Sequence, residues 1–287
     1  MGLNHDRIAK VLGSEIVASI SGGHGQFGSE ELAIKVAESS NRIAVAGILI
    51  VSHCWNPSGC MLYAQHLRWQ ISSLIHWPPS VPVRLVLCHA SSKDDPATWQ
   101  VLRGMRSLLP DLKRVNVQID SLQLGQPMLF RRAIGRNMAA MNCGESIVWF
   151  CDLDYCFGEG CLDSLAEQVG PDDELVWPQE VLVNIDHATG DKMVNDNLAT
   201  LLPRPDLSLF MPLARDRAIG GLQICGGNVA RQRGYLDGTK WVEPVDASKG
   251  FHQTDEDPKF RHGRKARAIK LPNLYWIRHS FKGAWVA

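Results

Sequence analysis

From about residue 42 the chain alternates short runs of apolar, often β-branched residues with longer stretches in which apolar residues recur every three or four positions. Ile43 to Ser52 is the first such run. It is about half of the roughly 20 residues that a membrane helix needs, so it predicts a buried strand. Tyr63, Leu67, Ile71, Leu74 and Ile75 are spaced for one face of a helix over 60–75, and Val81 to Cys88 predicts a second strand. A second helix over 96–109, a third strand from Val115 to Ile119, a helix from Arg131 to Asn142 and a fourth strand from Ser146 to Cys151 complete the rhythm. Strands alternating with helices predict an α/β protein with a mostly parallel central sheet flanked by helices. Its ligand crevice lies beyond the carboxyl ends of the strands.

Residues 1–42 read as an N-terminal extension with no legible role, in which Asn4 and Ser29 are candidate helix caps around a glycine-rich stretch at 21–28. Residues 43–287 read as one domain without internal repeats. The N-terminus lacks the basic-then-apolar order of a secretory signal and a myristoylation motif, which leads to the expectation of a cytoplasmic protein without a transmembrane segment.

Thirty basic and thirty acidic side chains leave no overall field that would draw the chain onto nucleic acid, so any charged ligand is held locally. Eight cysteines, at 54, 60, 88, 143, 151, 156, 161 and 225, show no C-x-x-C spacing and mostly lie in or beside apolar runs. They read as small buried hydrophobes, with a thiolate metal site at Cys151, Cys156 and Cys161 as the minor alternative.

The fourth strand runs directly into Asp152-Leu153-Asp154-Tyr155. Two carboxylates two positions apart at the carboxyl end of a buried strand face the crevice, where a hard divalent cation can bridge them to phosphate oxygens. An uncompensated acidic pair beside an apolar strand is costly, so a ligand is expected there.

Five segments in consistent order resemble the family 2 glycosyltransferases, over about residues 43–282. Arg136-Asn137-Met138-Ala139-Ala140 is similar to the family's Ala-Arg-Asn helix segment, and Asp152-Leu153-Asp154 to its metal motif. Cys225-Gly226-Gly227-Asn228-Val229-Ala230-Arg231 resembles the glycine-rich segment that runs under the donor sugar. Glu256-Asp257-Pro258-Lys259-Phe260-Arg261 resembles the Glu-Asp motif, and Ile269 to Asn273 followed by His279 the terminal strand and histidine.

The resemblance implies the GT-A (Rossmann-like) fold, with a nucleotide-binding half at 43–155 and an acceptor-side half at 156–287. It implies an inverting, metal-dependent transfer of a sugar from a nucleotide-diphosphate donor, by default a UDP-sugar, to a glycan or other hydroxyl acceptor. Mn²⁺ or Mg²⁺ is the implied cofactor, with Asp154 as first direct ligand, Asp152 as ligand or ribose contact, and His279 completing the set. Arg136, Ser52, Gly226, Gly227, Asn228 and Lys282 are the implied donor contacts. Asp257 is the implied general base, which removes the acceptor proton as the new bond forms. Glu256 is its nearest competitor. Arg261 and Arg264 are candidates for holding these carboxylates in place. The other basic residues around Lys265, Arg267 and Lys270 leave a phosphate- or lipid-linked acceptor and peripheral membrane association open.

Departures from the family pattern are local. His89 and Ala90 stand after the second strand where carboxylates that read the nucleotide base are usual, and Ser52-His53-Cys54-Trp55-Asn56 ends the first strand. The polar stretch Asn184 to Leu213 reads as an acceptor-facing loop, and Val242 to Gln253 as a mobile loop that orders on donor binding. Two rival readings remain: a sugar nucleotidyltransferase, which would need a Gly-rich phosphate loop after its first strand, and a non-catalytic carbohydrate or nucleotide-sugar binding protein.

Overall fold

A computed structural model of the protein describes residues 45–56, 60–195, 201–236, 241–246, 248 and 256–280. The expected N-terminal extension lies outside the described residues, as does half of the loop expected to order on donor binding.

Strands β1 (Val45–Cys54), β2 (Val83–His89), β3 (Val117–Gln123) and β4 (Glu145–Phe150) run parallel in the order β3-β2-β1-β4. They are connected through α1 (Leu62–His76), α2 (Pro96–Met105), α3 (Leu109–Arg114), α4 (Gln126–Phe130) and α5 (Arg132–Met141). Because helices cover both faces of such a sheet, Ile48 to Val51 at the middle of β1 are all fully buried. Alternate residues feed two cores. Ile48 and Ile50 pack with Leu67, Ile71 and Leu74 of α1, and Leu49 and Val51 with Ala133 and Ala140 of α5.

After β4 come β5 (Tyr155–Phe157), α6 (Cys161–Gln168), β6 (Leu175–Pro178), β7 (Glu180–Asn184), α7 (His187–Asn195), β8 (Phe210–Ala214), β9 (Gln223–Gly226), α8 (Gly227–Arg233), α9 (Glu256–Arg261), β10 (Ala266–Ile269) and β11 (Leu274–Trp276). Strand β9 is antiparallel to both β4 and β6, and the large sheet has seven strands in the order β10-β6-β9-β4-β1-β2-β3. The chain is therefore α/β with a mostly parallel central sheet flanked by helices. A second sheet, β5-β11-β7-β8, draws its strands from the end of the chain and from the segment after β4.

Two sequence expectations need correction. The terminal strand expected over Ile269 to Asn273 is a corner between β10 and β11: Pro272 has no amide for a ladder, and Asn273 sits at φ +52°. The stretch Asn184 to Leu213, expected as a loop, contains α7 and β8. The Asp186 carboxylate accepts from the Thr189 amide at 2.7 Å and so caps the start of α7.

All eight cysteines are free, and all but Cys60 are buried. Burial raises the thiol pKa of Cys151, Cys156 and Cys161, and among the described residues these thiols form no group arranged to hold a metal. Among the described residues, no helix is long and apolar enough to cross a membrane.

Candidate active site

The chain leaves β1 toward β2 on one side and meets β4 on the other, so the sheet has its topological switch point between β1 and β4. There the Cys151 amide donates to the Val51 carbonyl at 3.0 Å, and the next residue is Asp152. The crevice predicted from the strand pattern and the acidic doublet therefore coincide.

Arg136 organises the floor of this crevice. It projects from α5, is 1% exposed, and places its guanidinium 4.8 Å from the Tyr235 ring centre and 5.9 Å from that of Phe150. Nη2 donates to Asp152 Oδ1 at 3.2 Å; Nη1 donates to the Tyr235 hydroxyl at 2.7 Å and lies 3.6 Å from Asp257 Oδ1. Burial works against its charge, but Tyr235, Asp152, Asp257 and Glu256 outweigh burial and hold the guanidinium firmly protonated. One buried cation thus brings together Asp152 and Asp257, more than 100 residues apart in the chain.

Asp257 has two further contacts. Oδ2 accepts from the Gly220 amide at 3.0 Å, and Oδ1 lies 3.0 Å from the Tyr235 hydroxyl. Burial raises its pKa, yet Arg136, Arg132, the tyrosine and the glycine amide together hold it below the ordinary aspartate value. The Gly220-Gly221 turn meets the acidic motif directly. Gly220 is at φ +51°, and a Cβ on Gly221 would collide with the Asp152 backbone nitrogen.

The neighbouring Glu256 is fully buried between Arg131 (3.8 Å) and Arg132 (3.9 Å). Burial raises its pKa against the pull of Arg132, Arg136 and Arg131. A carboxylate sealed in this way cannot meet a substrate hydroxyl, so Glu256 is removed as competitor for the base.

The other acidic residue of the doublet belongs to different surroundings. Asp154 Oδ2 accepts from the Trp276 indole N–H at 2.7 Å, and its backbone carbonyl accepts from the Ile277 amide at 2.8 Å. Trp276 stacks on Tyr155 with centroids 5.9 Å apart, and Arg215 lies 4.6 Å over its ring.

Several expected site residues lie elsewhere. In the β4–β9 register Gln223 faces Phe150 while Gly226 faces Ile147, so Gly226-Gly227-Asn228 sit at the opposite end of the sheet from Asp152. Five residues of extended chain separate the two levels, on the order of 15 Å. A Cβ on Gly226 would strike the Pro171 carbonyl, and one on Gly227 the Glu145 carbonyl. The Asn228 amide donates to Asp172 at 2.8 Å. These residues pack the start of α8 and do not run under a donor. The glycines at the crevice are Gly220 and Gly221.

Ser52 is also corrected. It is fully buried and donates to Gln70 Oε1 at 3.2 Å; Gln70 in turn donates to the carbonyls of Asp152 (3.2 Å) and Tyr155 (3.3 Å), so Ser52 supports the acidic turn from behind. Arg136 is too deeply enclosed for a direct donor contact, whereas Arg132, 17% exposed and 3.5 Å from Asp152, lies nearer the opening. Arg261 and Arg264 bond backbone carbonyls of Ala218, Glu174, Gly234 and Tyr235, not the acidic pair; Arg131, Arg132 and Arg136 take that role. Lys282 lies outside the described residues.

His279 is buried, with its ring 5.1 Å from that of His66 and 5.9 Å from that of Tyr63. Among the described residues no group of three or more His, Cys, Asp and Glu side chains is arranged to hold a metal. The ligand set Asp152, Asp154 and His279 is therefore not preformed, and Asp152 is already neutralised by two arginines. Sequence reading passed over Arg132, Tyr235, Arg215 and Trp276. The basic pair at the start of α5 was the visible signal for Arg132; nothing local marked the others.

No protein-family model and no curated protein matches the sequence. Among solved structures, the chain is similar to a 4-diphosphocytidyl-2C-methyl-D-erythritol synthase at 13% identity and a TM-score of 0.37, covering 79% of this chain and 89% of that one. It is also similar to the glycosyltransferase GlyE of Streptococcus pneumoniae TIGR4, at 12% identity and a TM-score of 0.35 over 65% of this chain and 36% of that one. The apo form of GlyE gives 14% identity and a TM-score of 0.30 over 47% and 29%. The chain thus spans about a third of GlyE's length. Likenesses of this size assign no activity.

Proposed function

We propose that the protein is a glycosyltransferase of the GT-A kind that moves a sugar from a nucleotide-diphosphate donor to an acceptor hydroxyl. The observation that carries this reading is the meeting of Asp152, Asp257 and the Gly220-Gly221 turn around Arg136 at the sheet's switch point. Together with the order of motifs along the chain, it supports one carboxylate for the acceptor and one for the donor within a single crevice.

Asp257 is the base in this reading. Held ionised by Arg136 and Tyr235 and 21% exposed, it accepts the acceptor's proton as the hydroxyl oxygen attacks the anomeric carbon from the side opposite the diphosphate, which inverts that centre. A single carboxylate suffices because the diphosphate leaves without being protonated. Asp152, fixed by Arg136 and Arg132, orients the donor's ribose.

A divalent ion fits Asp154 without a protein cage, since Mg²⁺ and ions like it bind through one or two carboxylates plus substrate phosphates and water. When bound, Mn²⁺ or Mg²⁺ would offset the charge that builds on the leaving diphosphate. The basic groups Arg132 and Arg215 stand on either side of the acidic turn to assist.

The test is a panel of nucleotide sugars, UDP-sugars first, with Mn²⁺ or Mg²⁺, following release of nucleoside diphosphate with and without EDTA. Slow, metal-dependent hydrolysis of one donor is the expected result. Pyrophosphate release from a nucleoside triphosphate and a sugar phosphate would instead establish a nucleotidyltransferase. Tight donor binding with no turnover would establish a binding protein.

A further inference from the structure

Gln223 is the first residue of β9 and is fully buried. One hydroxyl separates it from the carboxylate of Asp257. The Tyr235 oxygen lies 2.8 Å from Gln223 Oε1 and 3.0 Å from Asp257 Oδ1, and it accepts from Arg136 Nη1 at 2.7 Å. A guanidinium has donors alone, so toward Arg136 the tyrosine oxygen must be the acceptor, and its single hydrogen is left for the other contacts. That hydrogen has two acceptors. The same reasoning fixes the Gln223 amide, because Arg136 Nη1 also lies 3.4 Å from its Oε1 and would repel an amino group there.

The ring that carries the hydroxyl cannot follow its hydrogen. It stacks on Phe260 of α9 with centroids 4.6 Å apart and meets Phe150 edge-on at 4.7 Å, while the Tyr235 amide donates to Asn137 Oδ1 at 2.7 Å. Phe260 and Asp257 both belong to α9, so the ring is packed on the helix that carries the carboxylate. Only the hydroxyl hydrogen is free to turn. Burial raises the pKa of Tyr235, so the hydroxyl keeps that hydrogen.

The charge of Asp257 decides which acceptor holds it. A hydrogen bond to an ionised carboxylate is roughly twice as strong as one between neutral groups, so the ionised form draws the hydroxyl to itself. A protonated carboxyl loses that advantage, and the nearby Gln223 carbonyl takes the hydrogen. The other charged groups around this carboxylate are Arg132 and Arg136 of α5, Asp152 at the end of β4 and Glu256 on its own helix.

We propose that Tyr235 is a hydrogen-bond switch for Asp257: its hydroxyl donates to the ionised carboxylate and turns to the Gln223 carbonyl once Asp257 has accepted a proton. No proton passes through the tyrosine. The O–H bond of the acceptor breaks, its proton stays on Asp257, and the hydroxyl only rotates, so part of the hydrogen bonding lost on protonation is recovered at Gln223. Tyr235 and Gln223 are positioning residues that act through Asp257. This rests on the transferase reading only for the source of the proton; the switch itself stands on one hydrogen between two acceptors.

The test is carbon-13 NMR of the full chain labelled at its aspartate carboxyl carbons, titrated in sucrose to hold the fold in acid. The Asp257 signal is the one lost in Asp257→Asn. Tyr235→Phe, which keeps the ring contacts, should make Asp257 bind its proton about tenfold more tightly, since a bond to a charged group is lost against a weaker one to a neutral group. Gln223→Met, similar in length but without the carbonyl, should make it bind roughly fivefold more weakly; Gln223→Leu takes its place if that variant does not fold. In the Tyr235→Phe background the Gln223 substitution should change nothing. Shifts of the same sign in both variants, no shift in either, or a Gln223 effect that persists without the tyrosine hydroxyl overturns the proposal. Opposite shifts together with full donor turnover by Asp257→Asn remove the base and leave the switch. Loss of turnover in Asp257→Asn without opposite shifts removes the switch and leaves the base.

Discussion

Asp152 and Asp154 are the same residue two positions apart, yet they live in different chemical surroundings. Around Asp152 opposite charges are gathered: Arg131, Arg132 and Arg136 meet Asp257, buried Glu256 and the Tyr235 hydroxyl between α5, α9 and the end of β4. Around Asp154 the neighbours are an indole, a tyrosine ring and an arginine stacked on that indole. In the first region each charge faces an opposite one, so that removing one partner would leave another buried and uncompensated. In the second, Arg215 stacks on the Trp276 ring and forms no ion pair among the described residues. Under the proposed function the two regions divide the labour, with Asp257 as the base and Asp154 at the ion.

Removing the centre of this knot of charges is the harshest way to break this contrast. Arg136→Ala strands Asp152 and Asp257 beside each other, and thermal or urea unfolding should show a loss of roughly 3–5 kcal/mol. A loss under about 1 kcal/mol would mean that the knot is wet and loosely held. Next, Asp257→Asn should retain donor binding while turnover falls by about 10²–10⁴, whereas Asp154→Asn should lose metal-dependent donor binding itself. Calorimetric titration of the donor with and without Mn²⁺ separates the two, and identical behaviour of both variants would erase the division of labour.

On the aromatic side the expected effect is smaller. Trp276→Phe removes one indole N–H from a carboxylate and should cost roughly 1.5–3 kcal/mol in unfolding free energy, without moving the pH dependence of the knot. That dependence has a definite sign. Burial pushes Asp257 up, but Arg136 and its other partners win and hold it below the ordinary aspartate value. The stability that Asp257→Asn removes is therefore fully present above about pH 4 and is lost as pH falls through the lowered folded value. Unfolding of wild type and variant should differ most near neutral pH and converge in acid; a difference that grew on acidification would mean the pKa is raised. Smallest of all, Asn228→Ala should change donor turnover less than about twofold, because a group at the far end of a strand makes no contact with the reacting atoms.

The strand and helix rhythm was legible because each element carries its own periodicity: Ile48 to Val51 are apolar without a break since a central parallel strand is covered on both faces, and Leu67, Ile71 and Leu74 recur at helical spacing. Asp152, Asp154 and Asp257 were legible as chemistry because acidic residues beside apolar runs need a reason to be there. The glycine segment misled for a reason of direction. Gly220-Gly221 and Gly226-Gly227 flank the same short strand, and only its antiparallel pairing to β4 decides which pair reaches the crevice.

What the sequence determined by itself, then, was the order of elements, the α/β class and the acidic turn at the end of β4, all properties of residues near one another in the chain. The tertiary structure alone decided that Arg136 joins carboxylates more than 100 residues apart, that Glu256 is sealed while Asp257 is not, and that Trp276, Val183 and Met211 form one row. Pairing across strands and burial of charge depend on where distant segments meet, and local pattern carries no record of that meeting.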